Sequence, residues 1–162
     1  MKQNRWPLVL FMLLLFFGCR DKCERLDCIN GECIEGKCAC EQGYEGGLCE
    51  TASNEKFNGI YDLNENCTAG SDGYEVRLEP SSTEPMVFEI FGLWEQEDDA
   101  VTVQIAEDGT SFEAGIQMLN NKRVVISATS DAFANTINLD YEVYEPGQTA
   151  PFDICQATLE RR

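Results

Sequence analysis

Six cysteines crowded into residues 23–49 constrain this chain more than any other feature: Cys23, Cys28, Cys33, Cys38, Cys40 and Cys49. Between them stand few large apolar side chains beyond Leu26, Ile29, Ile34, Tyr44 and Leu48. So short a segment cannot bury enough apolar area to fold unaided, and cross-links must supply the difference. Closing a loop of about 15 residues with a disulfide stabilises by roughly 3 kcal/mol. Six cysteines allow fifteen pairings, and spacing alone does not choose among them. Metal binding is the alternative use, although six thiolates without a histidine fit no simple site.

The pattern of the stretch resembles an epidermal-growth-factor-like (EGF-like) module. Cys38-Ala39-Cys40 is followed by Gly43-Tyr44, then by Gly46 and Cys49, and Asn30-Gly31 lies between the second and third cysteines. The resemblance covers residues 23–49 and implies the pairs Cys23–Cys33, Cys28–Cys38 and Cys40–Cys49. Calcium-binding members of that family carry acidic residues before the first cysteine and a second signature further on. Here only Asp21 precedes Cys23, and Ile34-Glu35-Gly36-Lys37 lacks the second signature, so no calcium is expected at this module.

The whole chain holds nine cysteines, a heavy load for a reducing cytosol and an odd number for an exported protein. The N-terminus accounts for the extra one. Lys2 and Arg5 precede an unbroken apolar run, Leu8 to Phe17, which ends at Gly18 and Cys19. A basic start, a short apolar stretch and a small residue at the boundary describe a secretory signal peptide over residues 1–18. The run is about half the ~20 residues that a bilayer-spanning helix needs. Phe16-Phe17-Gly18-Cys19 resembles the lipobox of bacterial lipoproteins, and the resemblance implies cleavage before Cys19 and diacylglycerol on its sulfur. Two or more acyl chains anchor a protein stably where one is marginal. The expected location is the bacterial cell envelope, anchored to the outer membrane and facing the periplasm or the surface; secretion, with Cys19 in an ordinary disulfide, is the alternative.

Charge narrows the partners. Asp and Glu number 29 against 12 Lys and Arg, a formal net charge of −17. Residues 1–18 hold Lys2, Arg5 and no acid, so the remainder is two charges more negative still. Such a surface opposes nucleic acid, whose affinity comes chiefly from cations on phosphates, and opposes anionic lipid headgroups. Membrane contact therefore falls to the lipid on Cys19. The chain has no histidine, which removes the commonest general base and the commonest metal ligand together. No enzyme, cofactor or resident metal is expected.

Past a polar segment at residues 50–56, read as a linker, residues 57–162 alternate with period two. Tyr74, Val76 and Leu78 interleave with charges; Val101, Val103 and Ile105 follow, then Phe112, Ala114, Ile116 and Met118, then Val124, Ile126 and Ala128, and Ile137, Leu139, Tyr141 and Val143. Alternation on β-branched and aromatic residues marks half-buried strands. Asp72-Gly73, Asp108-Gly109, Asn120-Asn121 and Pro146-Gly147 suit tight turns between them. About eight strands and no convincing helix predict a mainly β fold, an antiparallel barrel or sandwich following the disulfide-rich module. Cys67 and Cys155 are left to cross-link the first strand, or its loop, to the last strand.

Two further features carry functional expectations. Glu95, Glu97, Asp98 and Asp99 are hard oxygen donors dense enough to hold Ca²⁺, though such residues more often form a solvated loop between strands. Trp94 beside them could stack on a ligand, but a tryptophan so placed is more often a buried or rim aromatic. Phe57-Asn58-Gly59-Ile60-Tyr61 faintly resembles the Gly-x-aromatic start of lipocalin-type barrels. The expected function is a lipid-anchored, non-catalytic envelope protein displaying its β-domain to a protein or glycan, with the EGF-like module as spacer. The alternative is a lipocalin-like carrier of a small hydrophobic ligand.

Overall fold

The computed structural model describes residues 22–95 and 99–162. The expected leader over 1–18, Cys19, and Glu97 and Asp98 of the acidic cluster lie outside the described residues. The chain is mainly β, a disulfide-rich module followed by a closed antiparallel barrel.

In the module, β1 (Gly31–Ile34) and β2 (Lys37–Cys40) form a hairpin. Glu35 and Gly36 join them with φ of 53° and 84°, the double left-handed turn whose twist matches that of paired strands. A second, two-residue ladder pairs β3 (Tyr44–Glu45) with β4 (Thr51–Ala52). Disulfides join Cys23 to Cys33, Cys28 to Cys38 and Cys40 to Cys49.

The segment at 50–56, read from its polarity as a linker, is built into the structure. Thr51–Ala52 is β4, and Ser53 and Asn54 are buried. The Asn54 side-chain N–H₂ lies 3.0 Å from the carbonyl of Ser81, 3.0 Å from that of Glu84 and 2.6 Å from that of Val87. A short polar side chain is what a loop with three inward carbonyls needs, so polarity here marks burial rather than solvation. Gly43 approaches the same loop so closely that a Cβ would stand 2.8 Å from the Pro85 ring. Lys56 ion-pairs with Glu45 at 3.4 Å.

The barrel comprises β5 (Gly59–Cys67), β6 (Ser71–Pro80), β7 (Val87–Phe91), β8 (Ala100–Ile105), β9 (Ser111–Leu119), β10 (Lys122–Ser130), β11 (Thr136–Tyr144) and β12 (Asp153–Arg161). Consecutive strands pair throughout, and β12 returns to β5 with Cys155 opposite Cys67. Closure removes the unpaired edges that an open sheet would expose. The disulfide Cys67–Cys155 joins the first and last strands of the barrel.

Inward positions follow the alternation: Tyr61 and Leu63, Val76 and Leu78, Phe88 and Ile90, Val101, Val103 and Ile105, Val124, Ile126 and Ala128, Ile137, Leu139, Tyr141 and Val143, and Cys155, Ala157 and Leu159 are all buried. The end nearest the module is stoppered by a short 3-10 turn, Glu55–Phe57. Phe57 is fully buried, stacked on Phe88 with ring centroids 4.7 Å apart and set edge-on to Phe112 at 5.5 Å. Arg161 completes this end: its guanidinium donates to the Tyr61 hydroxyl at 2.6 Å and to the Lys56 carbonyl. At the far end a second 3-10 turn, Leu93–Glu95, tucks Leu93 into the core.

Two expectations from the alternation fail locally. Asp72-Gly73 does not turn the chain but lies within β6, opposite Glu65 and Asn64. The turn comes earlier, at Thr68–Gly70, where the buried Asp153 carboxylate accepts from the Thr68 hydroxyl at 2.7 Å and the Ala69 N–H at 3.1 Å. Ile116 and Met118 do not face inward with Phe112 and Ala114; they are 69% and 61% exposed. Gln117 pairs with Val124 and Ala114 with Ile126, so Gly115 and Ile116 together oppose Val125 alone. This bulge reverses the facing of the rest of β9 and turns Leu119 into the core.

Candidate functional site

The barrel end far from the module gathers the described residues that packing alone does not require. Strand alternation carries Tyr61 and Leu63 inward on β5 and then does the same to Glu65, a carboxylate only 9% exposed. Tyr74 of β6 donates its hydroxyl to Glu65 Oε2 at 2.9 Å, and Tyr141 of β11 donates to the same oxygen. Among the described residues no lysine or arginine forms an ion pair with Glu65; its partners are two neutral phenols. Burial, followed by the Glu65 charge beside it, pushes the Tyr74 hydroxyl well above the ordinary tyrosine range. Burial and the hydrogen bond to Glu65 do the same to Tyr141. Both rings therefore keep their protons and act as fixed donors.

The Glu65 carboxylate and the sulfurs of Cys67 and Cys155 lie within 4.8 Å of one another, a spacing that would suit a metal. The two sulfurs are bonded to each other, so they are not available as thiolate ligands.

From this interior network one bond runs outward. The Trp94 backbone N–H donates to the Tyr74 hydroxyl at 2.8 Å. Trp94 sits at φ 57° and ψ 38°, left-handed backbone that is unusual for a bulky residue. Its half-buried ring packs against the core, edge to face with Phe152 at 6.1 Å and 61°. Phe152 is 47% exposed and Ile154 stands beside it on the same rim. The Lys122 ammonium lies 5.2 Å from the Phe152 ring centre and is ion-paired to Glu145.

Of the acidic cluster, Asp99 is exposed and accepts from the Asn120 N–H at 3.0 Å, tying the β7–β8 loop to the β9–β10 turn. The described part of that cluster thus has a structural use. Trp94 is a rim aromatic with a fixed backbone. Glu65, Tyr74 and Tyr141 went unremarked in the sequence as a group. The signal for Glu65 was present: it continues the inward register of Tyr61 and Leu63, where a charge is out of place. No protein-family model, no curated protein and no solved structure matches the chain.

Proposed function

We propose that this chain is a lipid-anchored, non-catalytic protein of the bacterial cell envelope. In this reading Cys19 carries the lipid, the disulfide module at 23–49 is an EGF-like spacer, and the barrel is the binding part, offered to a protein or glycan. The observation that favours external binding over carriage is the packing of the barrel. Its inward side chains fill the interior, and Phe57 and Leu93 occupy its two ends. Recognition then falls to the outer surface and the rim. The docking of Asn54 and Gly43 against the loop at 81–87 supports a spacer that holds the barrel in a fixed attitude.

Eight strands is also the size of barrel that holds one small ligand, which keeps the carrier as a second reading. Two measurements separate the parts of the proposal. Intact mass of membrane-fraction protein, with and without reduction before alkylation, should start at Cys19 with added acyl mass and show free thiols only after reduction. A mass without lipid removes the anchor. Melting temperature measured against a panel of fatty acids should not move; a rise following RT ln(1 + [L]/Kd) would install the carrier instead.

A further inference from the structure

We propose that the outer barrel wall around Arg123 is a self-association face, on which a second copy of this chain docks with its Glu142 against Arg123 of the first. The pairing goes beyond the reading of the barrel as a part offered outward. It needs neither the lipid on Cys19 nor a ligand, so its failure leaves that reading standing.

The bulge in β9 builds this face. Apolar residues exposed singly are ordinary on a protein surface, whereas a contiguous set marks a contact region. Gly115 and Ile116 together oppose Val125, which turns Ile116 and Met118 out of the barrel, 69% and 61% exposed. The ladders continue the set across the neighbouring strands. Met118 lies opposite Arg123 of β10, and Arg123 lies opposite Tyr144 of β11. Val125 lies opposite Glu142, and Glu142 opposite the exposed Ile154 of β12. Residues directly opposite in paired strands share a face with Cβ atoms about 5 Å apart, so these side chains form one patch.

The charges within the patch identify its occupant. The Arg123 guanidinium lies over the Tyr144 ring, 3.9 Å from its centre, and forms no ion pair among the described residues. Its Nε–H is buried and has no hydrogen-bond partner among them. Arg162, by contrast, meets both Asp62 and Glu75 on the opposite wall. An arginine held on an aromatic ring, with exposed Met and Ile around it, has the composition of an interface centre. Glu142 is the complementary half. The Tyr144 hydroxyl donates to it, and among the described residues no cation pairs with it. A face that carries an unpaired cation and an unpaired anion beside an apolar strip is complementary to itself. In a two-fold pairing each contact occurs twice, so Arg123 of either copy meets Glu142 of the other, and Ile116 and Val125 are covered between them. The remaining surface resists such contact, because a net charge of −17 makes copies repel. That repulsion and the small patch place the dimer at the weak, transient end of interfaces.

The test is sedimentation velocity of the full chain in density-matched detergent, from micromolar to millimolar protein. A concentration-dependent equilibrium between monomer and dimer is expected. Met118→Ser, at an exposed position, should weaken the dimer about tenfold or more. Arg123→Glu and Glu142→Arg should each abolish it, since either one sets like charges against each other across the face. The double variant Arg123→Glu with Glu142→Arg should recover most of the association, a rescue that misfolding does not produce. A single monomeric species at every concentration overturns the proposal. Association that Met118→Ser and both reversals leave unchanged arises elsewhere in the chain and overturns it as well. Loss in both reversals with no recovery in the double variant, when Met118→Ser also associates normally, assigns the loss to folding and overturns the face.

Discussion

The Gln117 side chain stands in for a strand: its amide accepts from the Thr102 N–H at 2.9 Å and donates to the Thr102 carbonyl. The seam needs this. β8 and β9 pair directly only at Gln104 with Glu113 and Ile105 with Phe112, after which the bulge carries β9 away. A primary amide offers one donor and one acceptor side by side, the same pair a strand backbone would present. Gln117→Ala should therefore destabilise the barrel by about 1–2 kcal/mol. Amide exchange at Thr102 should accelerate in that variant while exchange in β11 follows the global change alone. Unaltered protection at Thr102 would show that the seam closes without Gln117.

The docking of the module onto the barrel hangs on Asn54. Removing its side chain takes a donor from the carbonyls of Ser81, Glu84 and Val87, of which the last two still accept from the Val87 and Ser81 N–H groups. The loss therefore falls chiefly on the Ser81 carbonyl, at about 1–3 kcal/mol for one unsatisfied buried group, offset by any water that enters. Asn54→Ala should lower the melting temperature by several degrees and expose residues 50–58 to limited proteolysis. Cleavage elsewhere, with 50–58 still protected, would mean that the disulfides alone fix this segment.

What was legible in the sequence was the class of fold, because period two on β-branched residues has a single structural meaning once both faces are assigned. Inward Val101, Val103 and Ile105 and inward Ile137 to Val143 follow from it directly. Register across the bulge was not legible, since Ile116 and Met118 continue the apolar alternation that the backbone abandons at Gly115. Polarity misled at 50–56 because Asn54 is polar in order to satisfy a buried loop, and composition cannot distinguish that from solvation. The inward register of Glu65 was legible, but its grouping with Tyr141 was not. Tyr74 is close, nine residues on in the β5–β6 hairpin, but Tyr141, 76 residues away on β11, comes beside Glu65 only through closure of the barrel.

Acid should weaken one turn in a defined window. The Ser111 hydroxyl and N–H and the Thr110 N–H all donate to Asp108, which holds its carboxyl down at about 2. An unfolded Asp titrates near ~3.9. Because the folded value is the lower one, the contribution is fully present above the unfolded value and is lost as pH falls from about 4 through about 2. Asp108 is fully exposed, so the effect is small and screened. Melting curves of the native chain and of Asp108→Asn should differ at pH 7 and converge below pH about 2. A constant offset across that range would assign the turn's stability to hydrogen bonds that protonation leaves intact.

The bulge at Gly115 makes the sharpest contrast. In an uninterrupted strand, Ile116 and Met118 would share the core face with Ala114, and a polar replacement at either would be severe. With Gly115 and Ile116 together opposite Val125, both side chains point outward and Leu119 points in. Ile116→Ser and Met118→Ser should therefore change stability by no more than about 0.5 kcal/mol, as surface substitutions do. Leu119→Ala, at a side chain 1% exposed, should cost about 2–5 kcal/mol. Denaturant midpoints of the three variants decide the matter. If the two serine variants lose as much as Leu119→Ala, the strand runs straight. Leu119 and Gln117 would then face solvent, and the amide that bridges the β8–β9 seam would have no strand position from which to reach Thr102.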